Sequence, residues 1–263
     1  MPTAWALNAD LGQRLAGKRL AVFLDFDGTL APIVDDPDQA IMDAGSRTAV
    51  ETLSALADVA IISGRDLTDV QSRVNLDAVY VAGSHGFDIA GPRGSGRTLQ
   101  QGTDCLPDLD IAERLLRERL AAVPGAALER KRFSISVHYR HVPGDRAGRV
   151  EDIVDDVMAE TGGLKKDGGK NVVQIGPDMD WHKGKAILWI LRELGYDRDG
   201  VLPIFIGDDL TDENAFRDIR GWGIGIVVGD EDRVTAADHA LSSPNEVTRF
   251  LRMLTDLVSG GAA

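Results

Sequence analysis

Cysteine and histidine are scarce in this sequence, which restricts how the fold and any site can be held together. Cys105 is the only cysteine among the 263 residues, so no disulfide bond can form within the chain. The five histidines do not cluster at the spacing of a metal site made from imidazole rings. Internal repeats and low-complexity tracts are also absent from the sequence.

Long apolar runs are missing as well. No stretch approaches the ~18 apolar residues of a transmembrane helix, and the first residues lack a basic segment followed by an apolar one. The composition, 43% hydrophobic and 27% charged, fits an ordinary globular chain rather than a disordered one. We therefore expect a cytoplasmic protein without a membrane partner, built from one large or two modest domains.

Positive charge is in short supply. The chain has 42 acidic and 29 basic side chains, which gives a formal net charge of -13. This charge repels nucleic acid and anionic membranes, so neither is expected as a partner. An anionic substrate would need a locally positive site on such a protein, and we therefore expect a metal ion there.

The most informative feature that is present is a pair of aspartates at the end of an apolar run. Residues 20–24 predict a buried strand, Asp25 and Asp27 follow it, and Gly28 then allows a sharp turn. Carboxylates two residues apart on an extended chain point to the same side. Two carboxyl groups this close repel each other when both are ionised, unless a cation or a shared proton offsets the repulsion. The pair therefore indicates a metal site, an acid/base role, or both. A calcium loop is excluded because its sixth-position glycine and later glutamate are missing.

Three further motifs follow in the sequence. Residues 201–206 predict a second apolar strand, which leads into Gly-Asp-Asp-Leu-Thr-Asp-Glu at 207–213. Between the two acidic motifs lie Ser-Gly-Arg at 63–65 and His-Lys-Gly-Lys at 182–185. The ordered set of Asp-x-Asp-Gly-Thr, Ser, Lys and Gly-Asp-Asp-x-x-Asp resembles the haloacid dehalogenase-type phosphatase superfamily.

The arrangement of predicted elements indicates an α/β fold with an insertion. Strands and helices alternate over residues 21–91 and again after residue 183, which predicts right-handed βαβ units and a parallel sheet. Ligands of such sheets bind at the carboxyl ends of the strands, where Asp25, Ser63 and Asp208 fall. Strand pairs with helices in the middle of the chain predict a separate α+β unit. We therefore expect a Rossmann-like core of residues 1–103 and 181–263 and an inserted α+β cap of residues 104–180.

The superfamily resemblance implies roles for the residues of these motifs. Asp25 would be the nucleophile that forms an aspartyl-phosphate, and Asp27 would be the general acid and base. Ser63 would donate a hydrogen bond to the phosphoryl group, and Lys183 would offset its charge. Mg²⁺ would bind Asp25, the backbone carbonyl of Asp27, and Asp208. Asp209 would complete the metal site, and Asp212 would lie behind the ligands and hold waters or Lys183, although which of these two aspartates touches the metal stays open. Glu213 is interpreted as part of the acidic first turn of a helix.

A closer resemblance covers nearly the whole chain, from Ala21 to Phe250. Residues 82–89, 129–140, 177–186 and 203–216 look like segments of trehalose-6-phosphate phosphatases. That resemblance implies a mobile cap, hydrolysis of trehalose 6-phosphate, and functional pairing with a trehalose-6-phosphate synthase. Glu129 and Lys131 would then bind sugar hydroxyls, which charged hydrogen-bonding groups suit. The other candidate substrate-binding residues are Arg65, His85, His138, Arg140 and Gln174.

Six of these seven candidates, all except Gln174, have a purely structural alternative. Glu129 and Lys131 could be a surface ion pair on one strand, and Arg65 could be a solvated helix residue. His85 could be a loop histidine, while His138 and Arg140, which would alternate on one strand face, could belong to the structure of the cap sheet.

One departure from the family pattern bears on the sugar. Gln174 stands where the family usually carries glutamate, and Gly176 stands where a basic residue is common. A phosphatase for sucrose phosphate or another glycosyl phosphate is therefore an alternative. A non-catalytic sugar-phosphate sensor is a weaker one, because Asp25, Asp27, Lys183 and Asp208 are all present.

Overall fold

The computed structural model describes residues 1–169, 171–229 and 234–260. The strands of the described residues are β1 (Arg19–Leu24), β2 (Asp58–Ile62), β3 (Tyr80–Gly83), β4 (Asp88–Ala90), β5 (Thr98–Gln100), β6 (Ala127–Lys131), β7 (Ser134–His138), β8 (Leu164–Gly169), β9 (Val172–Pro177), β10 (Val201–Gly207), β11 (Ile224–Val228) and β12 (His239–Leu241). The α-helices are α1 (Leu11–Leu15), α2 (Ala44–Ser54), α3 (Leu67–Val74), α4 (Leu106–Leu120), α5 (Ala147–Glu160), α6 (Lys183–Glu193), α7 (Glu213–Ile219) and α8 (Pro244–Gly260).

One large sheet dominates the fold. Its strand order is β12-β11-β10-β1-β2-β3-β4-β5, and the pairs from β12 through β3 are all parallel, whereas β3 and β4 are antiparallel. β1 lies near the middle, between β10 and β2. This sheet confirms the prediction of an α/β fold with a parallel core sheet.

Strand β1 contributes to the apolar core on both faces of the sheet. Leu20, Val22 and Leu24 belong to one buried cluster, and Ala21 and Phe23 belong to another. The first cluster includes residues of α2 and α8, and the second includes residues of α6 and α7. A strand that is covered on both faces has a continuous run of apolar residues, which is why residues 20–24 could be predicted as a buried strand.

The chain divides into two compact units, Met1–Leu99 with Trp181–Ala263, and Gln100–Asp180. The second unit contains a four-stranded antiparallel sheet with the order β6-β7-β9-β8. Buried apolar residues of α4 and α5 pack with Ile135, Val137 and Ile175 of this sheet. The second unit is therefore an α+β structure with an apolar core of its own.

Three strands and one strand end differ from the sequence expectation. β4, β5 and β12 have three residues each, too few to show a periodicity. The strand that we expected to carry both His138 and Arg140 ends at His138, since Val142 N–H donates to Tyr139 O in a turn. Arg140 is consequently an exposed residue beyond β7 and does not share a strand face with His138.

Among the residues that the structure describes, no helix combines the length and the apolar character that a bilayer span requires.

Candidate active site

Three adjacent strands of the large sheet end in polar residues. Asp25 follows β1, Ser63 follows β2, and Asp208 follows β10. Because β10, β1 and β2 are neighbouring parallel strands, their carboxyl ends lie at one edge of the sheet. The sheet thus brings together residues from opposite ends of the sequence.

Lys183 is the first residue of α6 and is almost completely buried against this edge. Its Nζ atom lies 3.0 Å from Asp25 Oδ1 and donates a hydrogen bond of 2.6 Å to Asp212 Oδ1. Burial by itself lowers the pKa of Lys183, but the charges of Asp25 and Asp212 more than reverse this and hold the pKa well above its usual value. Lys183 is therefore a fixed positive charge at the strand ends.

Asp25 is the carboxylate most affected by its surroundings. It is only 5% exposed, and its Oδ1 atom accepts a hydrogen bond from the Phe26 N–H group. Burial raises its pKa, Lys183 opposes that rise, and the nearby charges of Asp212 and Asp208 add to it. The carboxylate is held in place, and its ionised form depends on positive charge nearby.

A group of three carboxylates could hold a cation. Oxygen atoms of Asp25, Asp208 and Asp212 all lie within 4.8 Å of one another. Burial and the charge of Asp212 raise the pKa of Asp208 to about 6. Carboxylate oxygens are the ligands that Mg²⁺ prefers, and a divalent cation would relieve the repulsion among the three. The donor set therefore fits the magnesium ion that the sequence led us to expect.

Gly28 makes room for this cluster. Its φ angle is +74°, and a Cβ atom on it would come within 2.1 Å of Asp208 Oδ2. An L-amino acid with a side chain would be strained there and would also collide with the carboxylate. The glycine of the Asp-x-Asp-Gly motif thus permits the close approach of the segments that follow β1 and β10, as well as the turn.

Asp209 and Asp212 have different surroundings. Asp209 caps a short 3₁₀ turn, and its Oδ1 atom accepts a hydrogen bond from its neighbour Leu210. Asp212 is fully buried, contacts Lys183, and accepts a 2.9 Å hydrogen bond from the Asp209 N–H group. Among the described residues, the cluster of three carboxylates therefore includes Asp212 and does not include Asp209.

Ser63 lies in a turn that is held by the segment after β3. The Ser63 carbonyl accepts a 2.8 Å hydrogen bond from His85 N–H, and Ser63 Oγ accepts one of 3.1 Å from Arg65 N–H. The His85 ring lies so close to Gly64 that a Cβ atom there would come within 2.7 Å of it. His85 itself has a φ angle of 57°, in the left-handed region. The structure thus places His85 directly against the Ser63 turn.

Asp27 and Arg65 are bound to each other. Arg65 Nε donates to Asp27 Oδ2 at 2.8 Å, and Arg65 Nη2 donates to Asp27 Oδ1 at 2.7 Å. Arg65 Nη1 also donates to Asp69 Oδ2 at 3.0 Å. No sequence motif pointed to Asp69 or to Arg73, whose side chains pair at 2.7 Å. The spacing of residues 65, 69 and 73 is the i,i+4 signal of ion pairs on a helix, and it could have identified them.

The remaining sugar-site candidates lie in the second unit. Glu129 Oε2 lies 3.0 Å from His138 Nε2, and Glu129 Oε1 lies 3.6 Å from Lys131 Nζ. Partial burial raises the pKa of Glu129, but His138 and Lys131 outweigh this and hold it below its usual value. The three side chains therefore form one polar cluster on β6 and β7.

The pairing of the second sheet gives Gln174 a physical context. Ser136 lies directly opposite both Glu129 and Gln174, and Gln174 lies directly opposite Asp167. Like charges at directly opposed positions are destabilising. A glutamate at position 174 would face the Asp167 carboxylate, whereas the neutral amide of Gln174 does not repel it.

Comparison with known proteins supports the fold and then identifies the family. Solved structures with this fold include a haloacid dehalogenase-like hydrolase from Bacteroides thetaiotaomicron, with a TM-score of 0.65 at 14% identity over 90% of this chain and 100% of that one. The C-terminal domain of the Candida albicans trehalose-6-phosphate phosphatase has a TM-score of 0.77 at 23% identity, over 97% of this chain and 99% of that one. The trehalose-phosphatase family model matches residues 23–248, and the chain belongs to that family.

Curated relatives agree with this family. A trehalose-phosphate phosphatase of Mycobacterium marinum is 43% identical over 92% of this chain and 63% of its own length. A probable trehalose-phosphate phosphatase 3 of Oryza sativa is 40% identical over 99% of this chain and 76% of its own length. The chain thus spans less than two thirds of the mycobacterial relative.

Proposed function

We propose that this chain hydrolyses trehalose 6-phosphate to trehalose and phosphate through an aspartyl-phosphate on Asp25. The observation that carries the proposal is the buried contact of Lys183 with Asp25 and Asp212, beside Asp208. The ammonium group of Lys183 offsets the negative charge of the two carboxylates that it contacts. Membership of the trehalose-phosphatase family and the names of the relatives support the choice of substrate.

The proposed reaction begins with attack of an Asp25 carboxylate oxygen on phosphorus. The bond between phosphorus and the sugar oxygen breaks, and Asp27 supplies the proton that the leaving oxygen needs. Lys183 and the Ser63 hydroxyl stabilise the charge on the phosphoryl oxygens. Asp27 then accepts a proton from the water that hydrolyses the aspartyl-phosphate, which restores Asp25 and releases phosphate.

Asp25, Asp208 and Asp212, with the backbone carbonyl of Asp27, would hold Mg²⁺ in this proposal. The ion would supply positive charge to the transferring phosphoryl group. Asp209 would remain behind the ligands, because its carboxylate caps the turn that carries Asp212.

The two units would have different roles in the reaction. Residues 1–103 and 181–263 would form the core that carries out the phosphate chemistry, and residues 104–180 would form the cap that recognises the sugar. Glu129, Lys131 and His138 would bind sugar hydroxyls through charge-assisted hydrogen bonds, with Gln174 nearby in the sheet. In the cell, a trehalose-6-phosphate synthase would supply the substrate, and both proteins would be in the cytoplasm.

A substrate panel tests the proposal. Purified protein with Mg²⁺ should release phosphate from trehalose 6-phosphate at least about tenfold more efficiently than from sucrose 6-phosphate or glucose 6-phosphate, the scale of one lost charge-assisted hydrogen bond. The Asp25→Asn variant should release none, while Asp77→Asn, at an exposed surface aspartate, should match the wild type. Release from sucrose 6-phosphate alone would replace the sugar assignment, and release by Asp25→Asn would overturn the nucleophile.

A further inference from the structure

Arg65 is held by several partners near the strand ends. Its guanidinium group donates to both oxygens of Asp27, to Asp69 Oδ2, and to the Pro37 carbonyl at 2.7 Å. It also lies over the Phe26 ring, 5.8 Å from the ring centroid, and the residue is only 9% exposed. A side chain held by this many partners has little freedom to follow a substrate.

The geometry of the Arg65–Asp27 pair fixes the plane of the carboxylate. Two parallel N–H donors of one guanidinium group bind the two oxygens, an arrangement that a lysine cannot reproduce. Each carboxylate oxygen has a second lone pair, so this pairing leaves Asp27 able to accept or carry a proton. The Asp27 side chain is 39% exposed, so those lone pairs are reachable from solvent.

Arg65 is itself held by a second ion pair and a loop. Asp69 binds Arg65 through Oδ2 and Arg73 through Oδ1, at 3.0 and 2.7 Å. Arg73 Nη1 donates to the carbonyls of Asp38 and Ala40, in the same loop that Arg65 contacts at Pro37. The contacts run without a break from helix α3 and this loop to Asp27.

We propose that Arg65 is a positioning residue for Asp27: it orients the carboxylate that serves the leaving oxygen, and Asp69 holds Arg65 in that position. This inference rests on the proposed phosphatase function for its kinetic consequence, although not for its structural one. It replaces the expectation that Arg65 binds substrate.

The kinetic test compares two leaving groups. A sugar oxygen needs a proton as it leaves, whereas the 4-nitrophenolate ion does not. The value of kcat/KM depends only on the steps up to and including phosphoryl transfer to Asp25, so it measures this difference directly. Arg65→Gln should lower kcat/KM for trehalose 6-phosphate by about 100-fold, the lower end of what a general acid contributes. It should lower kcat/KM for 4-nitrophenyl phosphate by less than about 5-fold, because protonation of this leaving group contributes little to the rate. Equal losses on both substrates would overturn the proposal.

Two further variants separate positioning from charge and from folding. Arg65→Lys keeps the charge but loses the parallel donors, so it should still show a selective loss on the sugar phosphate; full activity would overturn the proposal. Asp69→Asn should also lower kcat/KM selectively for the sugar phosphate, by a smaller factor than Arg65→Gln. In a protein that already carries Arg65→Gln, it should cause no further loss of kcat/KM. Asp77→Asn, at an aspartate paired with Arg93 on the surface, is the matched control and should show neither.

A crystal structure of Arg65→Gln gives a readout that does not depend on activity. Asp27 should rotate to a different side-chain conformation or lose defined electron density, while Asp25 and Lys183 stay as in the wild type. An unchanged Asp27 conformation would overturn the positioning role. Inactivity of the wild-type protein on both phosphates would instead reject the proposed function, and this structural outcome would still decide the role of Arg65.

Discussion

The ammonium group of Lys183 lies 3.0 Å from Asp25 Oδ1, and both side chains are almost closed off from water, with exposed fractions of 2% and 7%. A charge pair at this depth has a large effect when one partner is removed. The other partner then remains buried without compensation, and the cost can exceed what the intact pair contributed to stability. Asp212 adds to this effect, since Lys183 is also its partner at 2.6 Å.

We therefore predict that Lys183→Met lowers the free energy of unfolding by about 3 kcal/mol or more in metal-free buffer. Urea unfolding followed by circular dichroism measures this difference. Lys185→Met, on the same turn of α6 but only half buried, is the control and should cost less than about 1 kcal/mol. A Lys183 variant as stable as the control would show that the buried contacts with Asp25 and Asp212 do not stabilise the fold.

Magnesium binding should depend on pH through Asp208. Its pKa of about 6 in the metal-free protein means that the ion must displace a proton at lower pH. We expect the affinity for Mg²⁺ to fall about tenfold between pH 7 and pH 5, with release of protons measurable by calorimetry in buffers of different ionisation enthalpy. Asp208→Asn should abolish binding, whereas Asp209→Asn should change it little. A constant affinity across this range would contradict the assignment of Asp208 as a ligand.

Tyr196 predicts an alkaline loss of stability. Its hydroxyl group donates a 2.6 Å hydrogen bond to Asp58, and burial together with that carboxylate raises the pKa of Tyr196 to about 12. In the unfolded chain the pKa is near 10, so this contribution is complete below pH 10 and is lost as pH rises from there toward 12.

The difference between wild type and Tyr196→Phe isolates this contribution. Urea unfolding should show the wild type more stable than Tyr196→Phe at pH 8, and the gap should narrow at pH 11.5. Because other tyrosines titrate equally in both proteins, they cancel in the comparison. A gap that stays constant with pH would mean that the hydroxyl group contributes through packing alone.

Glu129 should matter only for substrates that carry a sugar. Its cluster with His138 and Lys131 offers charged hydrogen-bonding groups, and binding energy from such groups raises efficiency for the full substrate alone. Glu129→Ala should cost at least about tenfold in kcat/KM for trehalose 6-phosphate and almost nothing for 4-nitrophenyl phosphate. Glu118→Ala, at an exposed position on α4 of the same unit, is the control. Equal activity of the two variants on the sugar phosphate would make Glu129 an ordinary surface residue.

The ends of β1 and β10 were predictable from the sequence, because strands buried on both faces form continuous apolar runs that stop abruptly. Asp25 after β1 and Asp208 after β10 were identified in this way. The choice between Asp209 and Asp212 could not be made, since both lie within one turn of the strand. It depends on the 3₁₀ turn, which directs Asp209 onto its own backbone and Asp212 toward Lys183.

The partner of Arg65 was also beyond sequence reasoning. Arg65 and Asp27 are 38 residues apart, and only the parallel pairing of β1 with β2 brings their backbones together. The end of β7 was missed for a different reason. Residues 139–141 have strand-like composition, but a turn closes at Val142, and local hydrogen bonding prevails over propensity there.

The pairing of β1 with β10, from Arg19 opposite Val201 to Leu24 opposite Ile206, also determines when the site can assemble during synthesis. A ribosome that adds 5–20 residues per second needs roughly ten to forty seconds to make the ~180 residues between these strands. Throughout that interval β1 is an apolar strand with one unpaired edge, which is the kind of segment that associates with other chains. The Gln100–Asp180 unit, with an apolar core drawn from its own residues, can fold meanwhile. The nascent chain is therefore vulnerable to aggregation at β1, the strand that leads into Asp25.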